Sequence, residues 1–189
     1  LFRPLGNPTK FLDALLTHFS RLKDEDISPK EYLLWSQSQS SPIRQAQGKH
    51  LKSQKDGEKN ELESYLELAN AYKKYEELKM KESAMDFSDL ISNTLLLFRT
   101  RSNVLKKYQA QFKFILVDEF QDTNYAQNEL AILLAGEDKN ITVVADDDQS
   151  IYRFRGAAAS NVLQFKKTFS DAKIITLIDN YRSTQAILD

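Results

Sequence analysis

The spacing of apolar residues divides the chain into a helical first part and a second part in which short apolar runs alternate with helices. Residues 8–35 carry apolar positions at helical spacing, which predicts two amphipathic helices. Residues 36–60 are rich in Ser, Gln and Lys, and this composition predicts an exposed, mobile loop. A long charged helix with one apolar stripe is predicted at roughly 59–82.

Two helix starts are marked by capping residues. Ser28 can cap the second helix, Pro29 suits its first turn, and Glu31 completes a capping box. Asp86 is placed to cap another helix that continues to about residue 98. These local signals fix where the helices begin.

Three apolar runs in the second part predict strands, at Phe114–Val117, Ile141–Ala145 and Lys173–Ile178. Helices are predicted between them at about 125–135 and 160–169, the first ending at a glycine. Strands that alternate with helices indicate a parallel α/β sheet with right-handed crossovers. Because the first two runs are apolar at nearly every position, we expect helices to cover both faces of the sheet.

Acidic clusters follow the first two predicted strands, and each cluster is followed by a glutamine. Asp118, Glu119 and Asp122 follow the first strand, and Asp146–Asp148 follow the second, just before Gln149. Ligands of parallel sheets bind at the carboxyl ends of the strands, where these acids would lie. The alternative is a strand end whose acids are merely solvated.

The segment after the second cluster interleaves aromatic and basic residues, in the order Tyr152, Arg153, Phe154 and Arg155. Rings that stack on bases beside arginines are typical of single-strand binding surfaces. The alternative is a buried Tyr/Phe pair with surface arginines. The third predicted strand leads into Arg182, toward the same edge. Carboxylates for Mg²⁺, a glutamine near phosphate and charge-neutralising arginines are parts of a nucleotide hydrolase.

Composition changes this picture little. The 189 residues include 26 basic and 27 acidic side chains, so there is no uniformly basic coat, although a local basic groove stays possible. The absence of cysteine excludes disulfides and thiolate metal sites. Without a membrane-spanning run or a signal peptide, we expect a soluble cytoplasmic protein with no membrane partner.

The segments "ILVDEFQDTN", "DDDQSIYRFRGA" and "NYRSTQAIL", in this order, resemble those of the UvrD/Rep family of superfamily 1 DNA helicases. "MDFSDLI" resembles the segment that precedes the acidic strand in that family. The resemblance implies an α/β fold: a partial RecA-like P-loop NTPase sheet with a helical inserted subdomain. Residues 1–84 would form the 1B-like helical insertion, and residues 85–189 part of the 1A-like motor domain.

The resemblance also implies roles on the nucleotide side, with ATP and Mg²⁺ as cofactors. Asp118 would hold Mg²⁺, and Glu119, close to the same metal, would orient and deprotonate the attacking water. Gln149 would contact the γ-phosphate, and Arg182 would stabilise its charge. Arg155 would lie at the nucleotide and bridge the aromatic loop to the first acids.

On the DNA side, the resemblance implies that Tyr152, Arg153 and Phe154 contact single-stranded DNA. Together these roles describe an ATP-dependent 3′–5′ helicase that unwinds duplex DNA. Two positions depart from the family: Ala145 stands where glycine is usual, and Phe154 stands where many members have Trp.

The phosphate-binding loop of such an enzyme is missing from this sequence. No G-x-x-x-x-G-K-S/T is present, and the one Gly-Lys pair, Gly48-Lys49, is followed by His50. The chain also begins at Leu1 rather than Met. We therefore expect an internal fragment that is inactive alone, with the Walker A segment and the second motor domain in the remainder of a longer protein.

Two other functions stay open. One is a non-catalytic module, derived from a helicase, that binds nucleic acid or a protein partner. The other is a metal-dependent phosphoesterase that uses the clustered acids. The phosphoesterase hypothesis is weak because the two histidines, His18 and His50, lie in the N-terminal half and are expected at the surface.

Overall fold

The computed structural model describes residues 9–39, 52–149 and 161–188, which form helices around one small sheet. The helices are α1 (Leu12–Asp24), α2 (Pro29–Gln39), α3 (Lys52–Lys81), α4 (Phe87–Thr100), α5 (Ser102–Gln111), α6 (Tyr125–Ala135), α7 (Asn161–Thr168) and α8 (Gln185–Leu188). The strands are β1 (Ile115–Val117) and β2 (Ile141–Val143). Among these residues, no helix is both long enough and apolar enough to cross a membrane.

The first three helices share one aromatic-rich core. Its buried members are Phe19, Leu22, Tyr32, Ala69 and Tyr72. The ring of Phe19 stacks on that of Tyr72 at 5.0 Å between centroids, and the Tyr72 hydroxyl donates to the Ile27 carbonyl at 3.2 Å. This core fixes α3 against the turn between α1 and α2.

Both predicted helix starts are confirmed. The Ser28 N–H donates to Glu31 Oε2 at 2.9 Å, and the Glu31 N–H donates to Ser28 Oγ at 3.3 Å. Asp86 caps α4 in a second capping box, which it forms with Asp89. Each box satisfies backbone donors that the first turn of a helix leaves without partners.

The predicted loop at 36–60 is wrong at both ends. Helix α2 continues to Gln39, and α3 begins at Lys52, so residues 36–39 and 52–60 are helical. Ser, Gln and Lys are compatible with a helix, and tertiary packing decides between helix and loop for such neutral sequences. Residues 40–51 lie outside the described part.

His18 is half-buried rather than a surface residue as expected. Its ring packs edge-on against Tyr32, and its Nε2 lies 3.1 Å from the Tyr32 hydroxyl. Burial lowers the pKa of His18, and the nearby Arg21 lowers it further. His18 therefore belongs to the edge of the helical core. His50 is outside the described residues.

Five charged side chains join α1, α3 and α4. The Lys23 ammonium contacts Asp89 at 2.6 Å, Asp86 at 2.8 Å and Glu76 at 2.9 Å. Lys79 contacts the same three acids at 2.6, 2.9 and 2.8 Å. We call this group the charge cluster; it ties the first helices to the start of α4.

A second polar junction connects the end of α1 to α6. Asn124 caps α6 and donates from Nδ2 to Asp24 Oδ1 at 2.7 Å. Arg99, at the end of α4, pairs with Asp26 at 2.5 Å and with Glu129 at 3.5 Å. The helical part thus contacts the helix that directly follows the first acidic segment.

The two strands form a parallel sheet with Ile115 opposite Ile141 and Val117 opposite Val143. On one face, Val117, Ile141 and Val143 of the strands pack with Ile132 of α6 against three buried rings, those of Phe120, Phe165 and Phe169. The other face is open, and Leu116 is 76% exposed. The prediction that both faces are covered is therefore wrong for the described residues, since α6 and α7 contribute to the same side.

The predicted third strand at Lys173–Ile178 is also wrong. The segment forms no strand among the described residues, and Leu177 is 83% exposed. Apolar β-branched composition raises strand propensity, but a strand requires a hydrogen-bonded neighbour. The observed fold is a helix-rich chain with a small two-stranded parallel sheet.

Candidate active site

The first acidic segment, Asp118–Asp122, begins directly after β1. Asp118 and Glu119 are exposed, and Glu119 has left-handed backbone angles, φ 49° and ψ 43°. Its N–H donates to Asp118 Oδ1 at 3.0 Å. Left-handed backbone at a residue other than glycine is costly and concentrates at functional sites. Phe120 is fully buried and packs the segment against Phe165 and Phe169.

Backbone hydrogen bonds align this segment with the acids that follow β2. The Val144 N–H donates to the Val117 carbonyl at 2.8 Å, and the Phe120 N–H donates to the Val144 carbonyl at 2.9 Å. These bonds continue the strand pairing beyond its regular part. Consequently the chain leaves both strands at the same edge, with Asp118 and Asp146 on neighbouring backbones.

Gln121 connects the two acidic segments through both ends of its amide. It is 3% exposed. Its Nε2 donates to Glu119 Oε2 at 2.7 Å, and its Oε1 accepts the Asp146 N–H at 3.1 Å. Asp146 Oδ2 in turn accepts from Gln149 Nε2 at 2.6 Å. A continuous series of hydrogen bonds therefore runs from Glu119 to Gln149.

The predicted residues are only partly brought together. Glu119 and Gln149 are linked as described, and Asp118 lies beside Glu119. Arg182 lies in an exposed turn in which Asn180 Oδ1 accepts the N–H groups of Arg182 and Ser183 at 2.9 and 3.0 Å. Within the described ranges, the Arg182 side chain makes no hydrogen bond or ion pair with the acids.

The predicted DNA-contacting residues Tyr152, Arg153 and Phe154, and also Arg155, lie outside the described residues, so their roles stay predictions. Asp122 is better placed: its N–H donates to the Glu119 carbonyl at 2.9 Å. Its Oδ1 is buried without a hydrogen-bond partner among the described residues. Asp122 thus contributes a backbone bond to the turn at Glu119 and a buried oxygen that none of the described residues pairs.

Asp118 fits a role in holding Mg²⁺. Its carboxylate is exposed at a strand end, and only Oδ1 accepts a hydrogen bond among the described residues. Magnesium prefers oxygen ligands and is usually held by one or two carboxylates together with substrate phosphates. The donor chemistry at this edge therefore matches the ion that the sequence predicts.

The other close group of carboxylates is not suited to a metal. Glu76, Asp86 and Asp89 place oxygens within 4.8 Å of one another. However, Lys23 and Lys79 each contact all three carboxylates. The lysines supply the positive charge that a metal would otherwise provide, so this group is a structural ion-pair cluster.

Sequence reasoning missed Gln121 and Asp146 as linking residues. The available signal was the glutamine that follows each acidic cluster, but spacing alone gave no reason to assign Gln121 a partner. Its two contacts depend on the left-handed turn at Glu119 and on an atom 25 residues away.

Comparison with known proteins finds relatives over most of the chain. Residues 7–170 match the family model of the UvrD/REP helicase N-terminal domain. The ATP-dependent DNA helicase PcrA of Staphylococcus epidermidis (strain RP62A) is 45% identical over 141 residues, which cover 74% of this chain and 19% of that protein. PcrA of Staphylococcus aureus (strain Mu50) is 44% identical over 140 residues, with the same coverage. The chain spans about one fifth of the length of these relatives. The chain therefore belongs to the UvrD/REP helicase family.

Proposed function

We propose that this chain is part of an ATP-dependent DNA helicase that moves 3′ to 5′ along a strand and unwinds duplex DNA. Its family membership supports this proposal, as do relatives that bear the name ATP-dependent DNA helicase. The observation that carries it is the hydrogen-bonded series from Glu119 through Gln121 and Asp146 to Gln149. This series joins the two acidic segments at one sheet edge, where ligands of parallel sheets bind.

The chain's own residues divide the work on ATP. Asp118 would hold Mg²⁺, which would supply charge neutralisation on the phosphates. Glu119 would also serve the metal, and it orients the attacking water and accepts its proton. Gln149 contacts the γ-phosphate. Arg155 and Arg182 would bind the nucleotide, and Arg182 would stabilise the negative charge of the transferred phosphoryl group.

Single-stranded and duplex DNA are the proposed partners. Tyr152 and Phe154 stack on bases of the single strand, and Arg153 pairs with its backbone, in the combination that sequence-tolerant single-strand binders use. Because Gln149 precedes this aromatic segment by three residues, contact with the γ-phosphate and contact with DNA are close in the chain. That proximity gives ATP hydrolysis a short route to the DNA.

We further propose that residues 1–84 act as a 1B-like helical insertion and residues 85–189 as part of a RecA-like 1A domain. A phosphate-binding loop and a second motor domain would lie in a longer protein that carries this chain. The length of the relatives supports this, since the match covers 19% of them. Such a protein would act in the cytoplasm.

The test is Glu119→Gln in that longer protein. The amide keeps the shape of the side chain and removes the base, so ATP and Mg²⁺ still bind. Steady-state ATP turnover should fall about 10²–10⁴-fold, the usual contribution of a positioned base. Glu137→Gln, an exposed acid after α6, is the matched control and should leave turnover unchanged. Near-normal turnover by Glu119→Gln contradicts the role given to Glu119.

A second candidate is a non-catalytic module that binds nucleic acid or a protein partner. The observation that favours it is the absence of G-x-x-x-x-G-K-S/T from the 189 residues. Without that loop no backbone cradle positions the phosphates, and positioning supplies most of the catalysis of phosphoryl transfer. Calorimetric titration of the longer protein with a non-hydrolysable ATP analogue and Mg²⁺, beside a phosphate-release assay, separates the candidates. Steady turnover by the longer protein excludes the non-catalytic module, and steady turnover by this chain alone would show that another segment replaces the loop.

A further inference from the structure

Gln121 is a buried side chain whose two polar atoms both serve the acidic segments. Its Nε2 donates to the Glu119 carboxylate at 2.7 Å, the short distance typical of a charge-assisted hydrogen bond. Its Oε1 accepts the Asp146 N–H at 3.1 Å. Only this orientation satisfies both partners, because the reversed amide would place oxygen against the carboxylate. Gln121 is thus fixed by its surroundings.

Glu119 depends on this contact for its orientation. Its carboxylate is exposed, and within the described residues the one hydrogen bond that it accepts comes from Gln121. Its backbone is held in the left-handed region. A long exposed side chain without a partner samples several rotamers, so a base in this place needs an external constraint.

We propose that Gln121 is a positioning residue for ATP hydrolysis, holding the Glu119 carboxylate and the Gln149 side chain in one fixed arrangement. The inference rests on the proposed function, in which Glu119 is the base and Gln149 contacts the γ-phosphate. Gln121 fixes Glu119 directly and Gln149 through Asp146, whose Oδ2 accepts from Gln149 Nε2 at 2.6 Å. Base and phosphate contact then keep a constant spacing.

The division of atoms suits this role. The Gln121 amide occupies Glu119 Oε2, which leaves Oε1 free to accept the proton of the attacking water. The amide is neutral and does not exchange a proton in the step, so the carboxylate keeps its charge until it receives that proton. Gln121 touches neither ATP nor water in this scheme.

The kinetic test compares three variants in the longer protein. Gln121→Leu removes both contacts, and Gln121→Glu keeps an acceptor for the Asp146 N–H but places a carboxylate against Glu119. Both should lower kcat about 10–100-fold with little change in KM for ATP, because misplacement of a reacting group by about 1 Å costs about 10²-fold. Gln109→Leu is the matched control: Gln109 donates to the Leu133 carbonyl at 2.8 Å, away from the acids. Its kcat should not change.

Hydrogen exchange in the 189-residue chain gives a readout besides activity. The Asp146 N–H should exchange faster in Gln121→Leu, which lacks the acceptor. It should stay protected in Gln121→Glu, which retains an acceptor, and in Gln109→Leu. Loss of kcat in Gln121→Glu together with a protected Asp146 N–H would separate positioning of Glu119 from a general loosening of the segment.

The outcomes distinguish the inference from the proposed function. Normal kcat in Gln121→Leu and Gln121→Glu, while Glu119→Gln is inactive, overturns the role of Gln121 alone. Normal turnover by Glu119→Gln overturns the proposed function instead. If the parent protein does not hydrolyse ATP, unchanged exchange of the Asp146 N–H in Gln121→Leu still overturns the linkage. If Gln121→Leu does not fold, as judged by circular dichroism, kcat of Gln121→Glu decides.

Discussion

Replacement of Lys23 by Met should destabilise the protein more than any exposed lysine replacement. The Lys23 side chain is 4% exposed and contacts Glu76, Asp86 and Asp89 within 2.9 Å. Met retains most of the aliphatic stem and removes the charge. The change leaves one ammonium, that of Lys79, to face three carboxylates, so the formal charge of the charge cluster goes from −1 to −2.

The magnitude follows from burial. Removing one partner of a buried ion pair costs about 3–5 kcal/mol, because the remaining charge is left without compensation. Lys79 still contacts all three acids, and the carboxylate of Asp86 retains some access to solvent. We therefore expect a loss near the lower end, about 3 kcal/mol in the free energy of unfolding. For a domain with about 5–15 kcal/mol of stability, this is a large fraction.

The assay is urea unfolding of the 189-residue chain, followed by far-ultraviolet circular dichroism at neutral pH. Lys74→Met is the matched control: Lys74 is 67% exposed and pairs with Glu77 at 3.4 Å on the same helix, α3. Such surface pairs contribute about 0–1 kcal/mol. If Lys23→Met unfolds within about 1 kcal/mol of the wild type, the acids of the cluster are compensated by solvent and the reasoning from burial fails.

Four further predictions concern other parts of the chain. Asn128→Leu should raise the free energy of unfolding by about 1 kcal/mol in urea unfolding, because the amide is 1% exposed and has no side-chain partner among the described residues. Gly136→Ala should lower it by about 1–3 kcal/mol, since φ is +59° and a Cβ would lie 2.8 Å from Gln109 Nε2. Burial alone would raise the pKa of Asp86, but hydrogen bonds from two lysines outweigh it and hold the pKa well below 3.8. The unfolded state therefore takes up this proton first as the pH falls, so the stability that Asp86 contributes is complete above about pH 5, and the urea midpoint should decline below about pH 4. Phe154→Ala in the longer protein should weaken single-strand binding by about 1–3 kcal/mol, as measured by fluorescence anisotropy. Unchanged affinity would indicate that Phe154 is a core residue instead.

Features set by neighbouring residues were predictable from the sequence. The capping box at Ser28 and the cap at Asp86 involve atoms three residues apart, so local spacing indicates them, although the second box with Asp89 was found only in the structure. The end of α6 at Gly136 follows from the left-handed backbone that glycine tolerates. In each case the interaction that fixes the structure lies within one helical turn.

Features set by distant partners were not predictable. The run at Lys173–Ile178 has strand composition, yet pairing depends on a neighbouring strand that composition cannot supply. Leu116 has the apolar character of a covered position, but α6 and α7 pack on the opposite face of the sheet. The length of α2 and α3 was likewise underestimated, because polar residues on an exposed helical face resemble those of a loop.

The acidic site combines both kinds of information. Asp118 and Glu119 could be placed from the sequence, because an apolar strand that ends in acids directs them to one edge of a parallel sheet. The arrangement of Glu119 relative to Gln149 could not, since it passes through the buried amide of Gln121 and the backbone of Asp146. A base is effective only at a defined distance from its substrate. The precision of the proposed chemistry therefore depends on the contact between the Gln121 amide and the Glu119 carboxylate. The left-handed backbone of Glu119 brings these two side chains together.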